Sequence, residues 1–236
     1  MACIKAAIIE ANDMSQIEYT YYRYRMCVGA YFEMPTADAR ELIPDHLEPL
    51  EVQHERSILA VTAFDFIESL VGPYHEVVLA VVVPPMVQPG KPLPKAAFFP
   101  FMVGTSTEIS RQHAIERWHL PHYMRDLDIE FQEQSGEVTV RVQDGSDPVL
   151  DLTVTDFDFE PTRNVYSCFT VDERDRYKVN IYMQAPHTEH EEERGSVTLY
   201  EHPMTAGLSI DEINTYPFRE EWYRTGMQTF ELLESF

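Results

Sequence analysis

The sequence is short of lysine and of positive charge in general. Four lysines stand in the chain (Lys5, Lys91, Lys95 and Lys178), and lysine and arginine together number 18 against 40 acidic residues. The resulting net charge of −22 would repel the phosphates of nucleic acids and of anionic membranes. We therefore expect neither nucleic acid nor membrane as a partner.

Cysteines and long apolar runs are also scarce. The three cysteines are widely spaced and form no C-x-x-C pair, which argues against a disulfide framework or a zinc knuckle. The most apolar run, at residues 77–85, is too short to span a membrane, and the run at residues 6–9 is too short for a secretion signal. We expect a cytoplasmic protein.

Several common catalytic motifs are missing as well. The chain contains no G-x-S-x-G, P-loop, G-x-G-x-x-G or H-E-x-x-H sequence, which removes the usual hydrolase, nucleotide-binding and zinc-protease interpretations at the level of motifs. A hydrophobic content of 44% is enough to fill a core. We expect one domain over residues 1–236.

A period of two dominates the pattern of apolar residues and predicts a mainly β (α+β) fold. The turn residues at 144–148 predict a hairpin. Short helices are predicted at 36–43 and 106–118, and residues 227–236 fit a short helix or an edge strand. This pattern is typical of a closed antiparallel β-barrel with a few peripheral helices. Strands are predicted at residues 17–34, 57–66, 75–83, 97–103, 127–132, 137–143, 150–159, 165–171, 177–183 and 196–200.

Two groups of residues offer ligands for a metal ion, but neither predicts a metal site. His187 and His190 lie among glutamates in a charged run at 187–194, which is typical of a solvated loop. His119 and His122 follow Glu116, but Pro121 breaks the helical face that would align them. We expect no metal and no other cofactor.

Glu76, Arg23 and Arg25 are candidates for chemistry in a cavity. The Gly72-Pro-Tyr turn places Glu76 at the start of an almost wholly apolar strand, where an inward carboxyl would have a raised pKa and an outward one would face water. Arg23 and Arg25 are two residues apart and therefore share a face of their strand. An inward arginine would hold an anionic oxygen of a substrate.

Three segments give the chain a resemblance to the acetoacetate decarboxylase family. They are residues 31–50 (YFEMPTADARELIPDHLEPL), the GPYHEV turn at 72–77 and the WHLPH sequence at 118–122. The resemblance covers roughly residues 20–130. It implies a cone-shaped β-barrel with an apolar cavity, in which a lysine forms a Schiff base with the substrate ketone, beside an arginine and a glutamate. The arginine and the glutamate match Arg25 and Glu76.

The lysine of that family does not match a lysine here. Its position falls on His122, and a neighbouring lysine of the family falls on Tyr123. Because imidazole cannot form an imine that serves as an electron sink, the resemblance implies a scaffold without its Schiff-base chemistry. A relocated lysine at Lys178 is the alternative, since Lys91 and Lys95 lie in a proline-rich loop.

We hypothesise a lyase-like or isomerase-like enzyme that uses acid–base chemistry on a keto acid or 1,3-dicarbonyl compound, in secondary metabolism. His122 is the expected acid or base, Glu76 its partner and Arg25 the oxyanion anchor. We expect Tyr123, His119, Tyr74 and Arg23 to contact the substrate, and the chain to form a homo-oligomer. The rival hypotheses are a decarboxylase or aldolase that uses Lys178, and a non-catalytic barrel that binds an apolar ligand.

Overall fold

The computed structural model describes residues 19–173 and 175–236. The apolar run at 6–9 and the first two residues of the strand predicted at 17–34 lie outside the described residues. Within them, helices α1 (Thr36–Leu42) and α2 (Glu108–Trp118) accompany a much larger set of strands, which confirms the mainly β fold class. The strands are β1 (Thr20–Pro35), β2 (Glu51–Gln53), β3 (Arg56–Glu68), β4 (Tyr74–Val83), β5 (Ala96–Thr105), β6 (Asp128–Gln134), β7 (Glu137–Asp144), β8 (Asp147–Thr155), β9 (Glu160–Asp172), β10 (Asp175–His190), β11 (Ser196–Leu199), β12 (Arg219–Tyr223), β13 (Gly226–Phe230) and β14 (Glu234–Ser235).

Most strands belong to one large sheet whose pairings return to the strand from which they start. Its order is β12–β1–β13–β10–β9–β5–β4–β3–β2, and β1 also pairs with β3 while β12 also pairs with β10. The pairs are antiparallel except β5–β9, which is parallel over residues 96–98 and 166–168. This parallel pair departs from the predicted antiparallel arrangement. It is possible because α2 and three strands separate β5 from β9 and bring the chain back in the same direction.

A smaller sheet, with the order β11–β8–β7–β6, packs on the outer face of the large sheet. Val77, Leu79 and Val81 of β4 share one core with apolar residues of β7 and β8. The alternate residues Val78 and Ala80 point the other way, toward a cavity. Because both faces of β4 are covered, its sequence is a continuous apolar run and lacks the usual alternation.

Several predicted boundaries change in the structure. Residues 187–190, predicted as a solvated loop, form the end of β10, and His187 and His190 are buried. The strand predicted at 150–159 ends at Thr155, and the residues predicted as a helix or edge strand at 227–236 form β13 and β14. The charged end of β10 is held in the sheet because it pairs with β12, which the sequence pattern does not predict.

The helices contribute little to the core of the described chain. Thr107 caps α2 by accepting a hydrogen bond from the main-chain N–H of Ser110, and His119 ends the helix in the left-handed conformation with φ of 51°. No helix in the described ranges has the length and apolar character needed to cross a membrane.

The close approach of β13 to β10 depends on Gly226. A Cβ added at this position would collide with the main-chain oxygen of Gln184 and with the side chain of Ala185. We expect Gly226→Ala to lower the free energy of unfolding by about 1–3 kcal/mol, because overpacking forces the strand outward. Urea denaturation measures this value. The control is Gly29→Ala in β1, where an added Cβ meets its nearest atom at 3.4 Å; an equal loss in both variants would contradict this account of β13.

Candidate functional site

A cavity of about 130 Å³ lies against the inner face of the large sheet. Alternate residues of the surrounding strands form its wall, since successive side chains along a strand point to opposite faces of the sheet. The wall consists of Cys27, Gly29, Tyr31, Thr62, Phe64, Glu76, Val78, Ala80, Phe98, Pro100, Val103, Leu120, Tyr166, Cys168, Ile181, Met183, Glu221, Tyr223, Gln228 and Phe230.

The ionisable acidic groups among the described wall residues include two carboxyls. Among the described residues, Glu76 and Glu221 line the cavity, whereas no lysine, arginine or histidine does. Most of the remaining wall is aliphatic or aromatic. The cavity therefore combines an apolar interior with acidic groups and with the hydroxyls of Tyr31, Tyr166 and Tyr223.

Glu76 is placed in the wall by the turn that precedes β4. Gly72 has φ of 88° in that turn, a conformation that favours glycine. The Oε2 atom of Glu76 accepts a long hydrogen bond of 3.5 Å from the Tyr74 hydroxyl. Burial raises the pKa of Glu76 to about 8, and the Tyr74 contact lowers it by a smaller amount. Glu76 is therefore protonated at neutral pH and is able to donate a proton into the cavity.

Glu221 occupies β12 opposite Gly29 of β1 and is buried. The Tyr166 hydroxyl donates a hydrogen bond of 2.8 Å to its Oε2 atom, and the Lys95 ammonium lies 3.0 Å from its Oε1 atom. The sequence did not predict Glu221 as a site residue, because the segment 219–223 shows no alternation of apolar and polar residues. Its neighbour Glu220 is also buried and accepts main-chain hydrogen bonds from Thr155 and Gly195.

The two carboxyls both affect the pKa of the Cys27 thiol. Burial raises the pKa of the Cys27 thiol well above its usual value, and the charges of Glu221 and then Glu76 raise it further. Both carboxyl groups therefore lie within electrostatic range of one sulfur atom in the cavity wall.

His122 lies close to the cavity but not in the wall. Its main chain pairs with Val103, and its Nδ1 atom donates a hydrogen bond of 2.7 Å to the main-chain oxygen of Tyr123. Burial lowers the pKa of His122 to about 4, so its imidazole is neutral at neutral pH. Its Nε2 atom is buried without a hydrogen-bond partner in the described ranges. It is Leu120, two residues earlier, that reaches the cavity.

The structure does not bring Arg25 or Arg23 to the cavity. The side chain of Arg25 is 66% exposed and pairs with Asp65 at 3.4 Å. The side chain of Arg23 is 56% exposed and pairs with Glu68 at 3.2 Å. The two arginines share a face, as their spacing predicts, but it is the outer face.

The other predicted contact residues occupy three different places. Tyr74 is buried and touches Glu76. The hydroxyl of Tyr123 donates a hydrogen bond to the buried carboxylate of Asp144, away from the wall. His119 lies 3.2 Å from Asp172 and stacks on Tyr177, also outside the wall. Of these three, Tyr74 alone is joined to a wall residue by a contact described here.

Lys178 and Lys95 are the lysines to consider for an imine. Lys178 is buried in β10, but it points away from the wall residues Ile181 and Met183 and lies 3.8 Å from Glu234. Lys95 lies closer to the cavity through its contact with Glu221, where two carboxylates hold its ammonium. Neither amine forms part of the wall.

Among the residues that the structure describes, one group of side chains could hold a metal ion. His187, Glu189 and Glu221 each offer a ligand atom, and these atoms lie within 4.8 Å of one another. The group differs from the histidine and glutamate run considered in the sequence, because Glu221 joins it from another strand.

The protonated state of Glu76 predicts how stability changes with pH. A carboxyl whose pKa rises from 4.5 to about 8 on folding stabilises the protein most below the lower value, and this contribution is lost as the pH rises toward and through about 8. We expect the parent chain to lose stability relative to Glu76→Gln over that range in urea denaturation. Glu68→Gln, which changes an exposed carboxyl of β3, is the control. Identical pH profiles for the parent and Glu76→Gln would contradict the raised pKa.

Comparisons with known proteins bear on the fold. No family model and no curated protein matches this sequence, whereas solved structures do. Acetoacetate decarboxylase from Legionella pneumophila is 12% identical, with a TM-score of 0.63 over 99% of this chain and 98% of that one. The enduracididine biosynthesis enzyme MppR, in complex with pyruvate, is 10% identical, with a TM-score of 0.62 over 95% and 92%.

A third structure is an acetoacetate decarboxylase-like enzyme from Sphingomonas wittichii RW1. It is 12% identical, with a TM-score of 0.61 over 92% of each chain. The likeness extends well beyond the segments that carry the sequence resemblance and includes the later strands. At these identities it establishes the architecture, and the chain therefore has the acetoacetate decarboxylase-like fold.

Proposed function

We propose that this protein is a small-molecule enzyme that performs acid–base chemistry, without a Schiff base, on a neutral carbonyl compound of the 1,3-dicarbonyl class. The observation that carries this proposal is Glu76, a carboxyl group that is protonated at neutral pH and lines an apolar cavity. Enzymes with the same fold, including the acetoacetate decarboxylase-like enzyme and MppR, support an enzymatic role. We further propose that the large sheet closes as a barrel around this cavity, within one domain.

The proposed chemistry is enolisation. Glu76 donates its proton to the carbonyl oxygen while the Glu221 carboxylate removes the proton from the adjacent carbon, which gives a neutral enol. Return of the two protons, to carbon and to Glu76, restores both groups. Two carboxyls in different environments are a common way to divide acid and base roles. Here burial keeps Glu76 protonated, whereas Glu221 lies in an ion pair with Lys95.

The absence of lysine from the described wall argues against the imine route. Lys178 points away from the wall, and Lys95 is held by Glu189 and Glu221. The decarboxylase or aldolase hypothesis therefore lacks a free amine beside the cavity in the described chain. We also do not assign the acid role to His122, because its imidazole is already neutral at neutral pH and lies outside the wall.

The charge of the wall and the volume of the cavity together restrict the class of substrate that fits. An anionic keto acid would meet the Glu221 carboxylate and no cation of the wall in the described residues, which is unfavourable at low dielectric. A neutral dicarbonyl compound would instead accept the proton of Glu76. A cavity of about 130 Å³ is close to the roughly 150 Å³ that holds benzene in an engineered protein core. We propose a substrate of about that size.

The second candidate is a non-catalytic protein that binds a small apolar ligand. The observation in its favour is the largely aliphatic and aromatic wall. Binding of a ketone without any acceleration of its proton exchange would support this candidate. The expected cytoplasmic location, homo-oligomeric state and role in secondary metabolism stay predictions.

The proposed acid predicts the outcome of changing Glu76. The exchange of the α protons of pentan-2-one for deuterium, followed by NMR, reports enolisation of a neutral ketone. We expect Glu76→Gln to lower the exchange rate by about a hundredfold or more, as is usual for loss of a general acid. In the parent chain the rate should fall as the pH rises through about 8, because the acid form of Glu76 is then lost.

Three further variants make this test specific. Glu68→Gln, at an exposed carboxyl, should keep the parent rate. His122→Gln and Arg25→Ala should also retain most of it, because neither side chain lines the cavity. If His122→Gln lowers the exchange rate as much as Glu76→Gln does, His122 would be the acid and the proposal would be overturned.

The proposed substrate class predicts a preference between two matched ligands. Acetylacetone and acetoacetate have similar shapes, but at pH 7 acetylacetone is mostly neutral and acetoacetate is an anion. We expect acetylacetone to bind at least about tenfold more tightly in calorimetric titrations, because the described residues of the wall offer no cation to an anion. Glu221→Gln should reduce the difference in affinity between acetylacetone and acetoacetate. Tighter binding of acetoacetate would contradict the neutral class.

A further inference from the structure

His187, Glu189 and Glu221 form a group beside the cavity, named here the β10–β12 cluster. They come from adjacent antiparallel strands, with His187 opposite Tyr223 and Glu189 opposite Glu221. Because directly paired residues point to the same face of a sheet, the three side chains share the face that carries the cavity. One ligand atom of each lies within 4.8 Å of the others.

His187 has a nitrogen without a partner. The residue is 7% exposed, and its ring stacks on Tyr223 with the ring centroids 4.1 Å apart. Its Nε2 atom is buried and makes no hydrogen bond to the described chain. Leaving a buried polar atom unpaired is costly, and a neutral imidazole nitrogen is a common metal ligand.

A positive charge already lies between the two carboxylates of this cluster. The Lys95 ammonium is 2.6 Å from Glu189 and 3.0 Å from Glu221. Arg219 approaches Glu189 at 3.4 Å and is itself paired with Glu191. The Lys95 contacts show that the geometry of the two carboxylates suits a cation.

We propose that the β10–β12 cluster binds one divalent transition-metal ion and that the Lys95 ammonium occupies the position of that ion in its absence. Carboxylate oxygens and imidazole nitrogens are usual ligands of Zn²⁺, and three protein ligands leave a coordination position open. Ligands at about 2.0–2.2 Å from a common ion lie at most about 4.4 Å apart. The three ligand atoms lie within 4.8 Å of one another, so binding needs at most a small inward movement, together with withdrawal of the flexible Lys95 side chain.

The metal site does not depend on the proposed enolisation. Its ligands exclude the proposed acid Glu76 but include the proposed base Glu221, and the ion would bind even if the cavity were only a ligand pocket. It also differs from the metal ligands considered in the sequence, because His187 and Glu189 of the charged run are joined by Glu221 of another strand. Binding experiments without any substrate can therefore test it alone.

The sharpest test removes the competing ammonium. Zn²⁺ is titrated calorimetrically into the full chain, without a histidine tag, and into Lys95→Met and Lys91→Met. We expect one ion per parent chain and about tenfold tighter binding by Lys95→Met, because the carboxylates lose their resident cation. Lys91 lies in the same proline-rich loop, is 43% exposed and lies 3.9 Å from Glu234, so Lys91→Met should match the parent.

Ligand variants identify the site. Glu189→Gln and His187→Gln should each weaken Zn²⁺ binding at least about tenfold, and the visible spectrum of bound Co²⁺ should change in His187→Gln. If His187→Gln does not fold, the partly exposed Glu189→Gln decides. No saturable binding by the parent, equal affinities of Lys95→Met and Lys91→Met, or binding that survives the ligand variants would each overturn the proposal; the last would mark adventitious binding at exposed histidines.

Discussion

The chemistry of this protein depends on one constraint: the strands around the cavity are covered on both faces. The outer face of β1, β3 and β4 packs against the smaller sheet, and the inner face borders the cavity. Polar groups on the inner face are therefore separated from water. Desolvation keeps the proton on Glu76, and a buried Glu221 is tolerable because Lys95 and Tyr166 lie against it. The same packing that forms the core thus sets the charges of the site.

Local pattern was enough to predict most of the strands and one of the two cavity carboxyls. The hairpin at 144–148 and the turn before Glu76 follow from residues adjacent in the sequence, because glycine and proline restrict the main chain there. The apolar run of β4 marked the carboxyl at its start as a candidate, while its inward or outward direction stayed open. These inferences depend on short-range chemistry, which a single sequence displays directly.

Arg25 illustrates what local pattern cannot supply. Alternation from Arg25 to Cys27 would place both side chains on one face, yet Arg25 is outside and Cys27 lines the cavity. The pairing of β1 with β3 shifts register between Tyr24 and Met26, and this irregularity exchanges the two faces. Glu221 was missed for a related reason, since β12 is defined by its pairing with distant strands. Register and long-range pairing are properties of the fold as a whole.

The large sheet joins an early strand to late ones, and this arrangement affects how the protein is made. β1 pairs with β12 and β13, which follow it by roughly two hundred residues in the printed sequence. During synthesis on a ribosome, β1 and β3 emerge long before the strands that complete their surroundings. Their apolar inner faces stay open throughout that interval, when aggregation competes with folding. The cavity first exists after Phe230 has left the exit tunnel, so the nascent chain has no binding pocket while only its earlier strands have emerged.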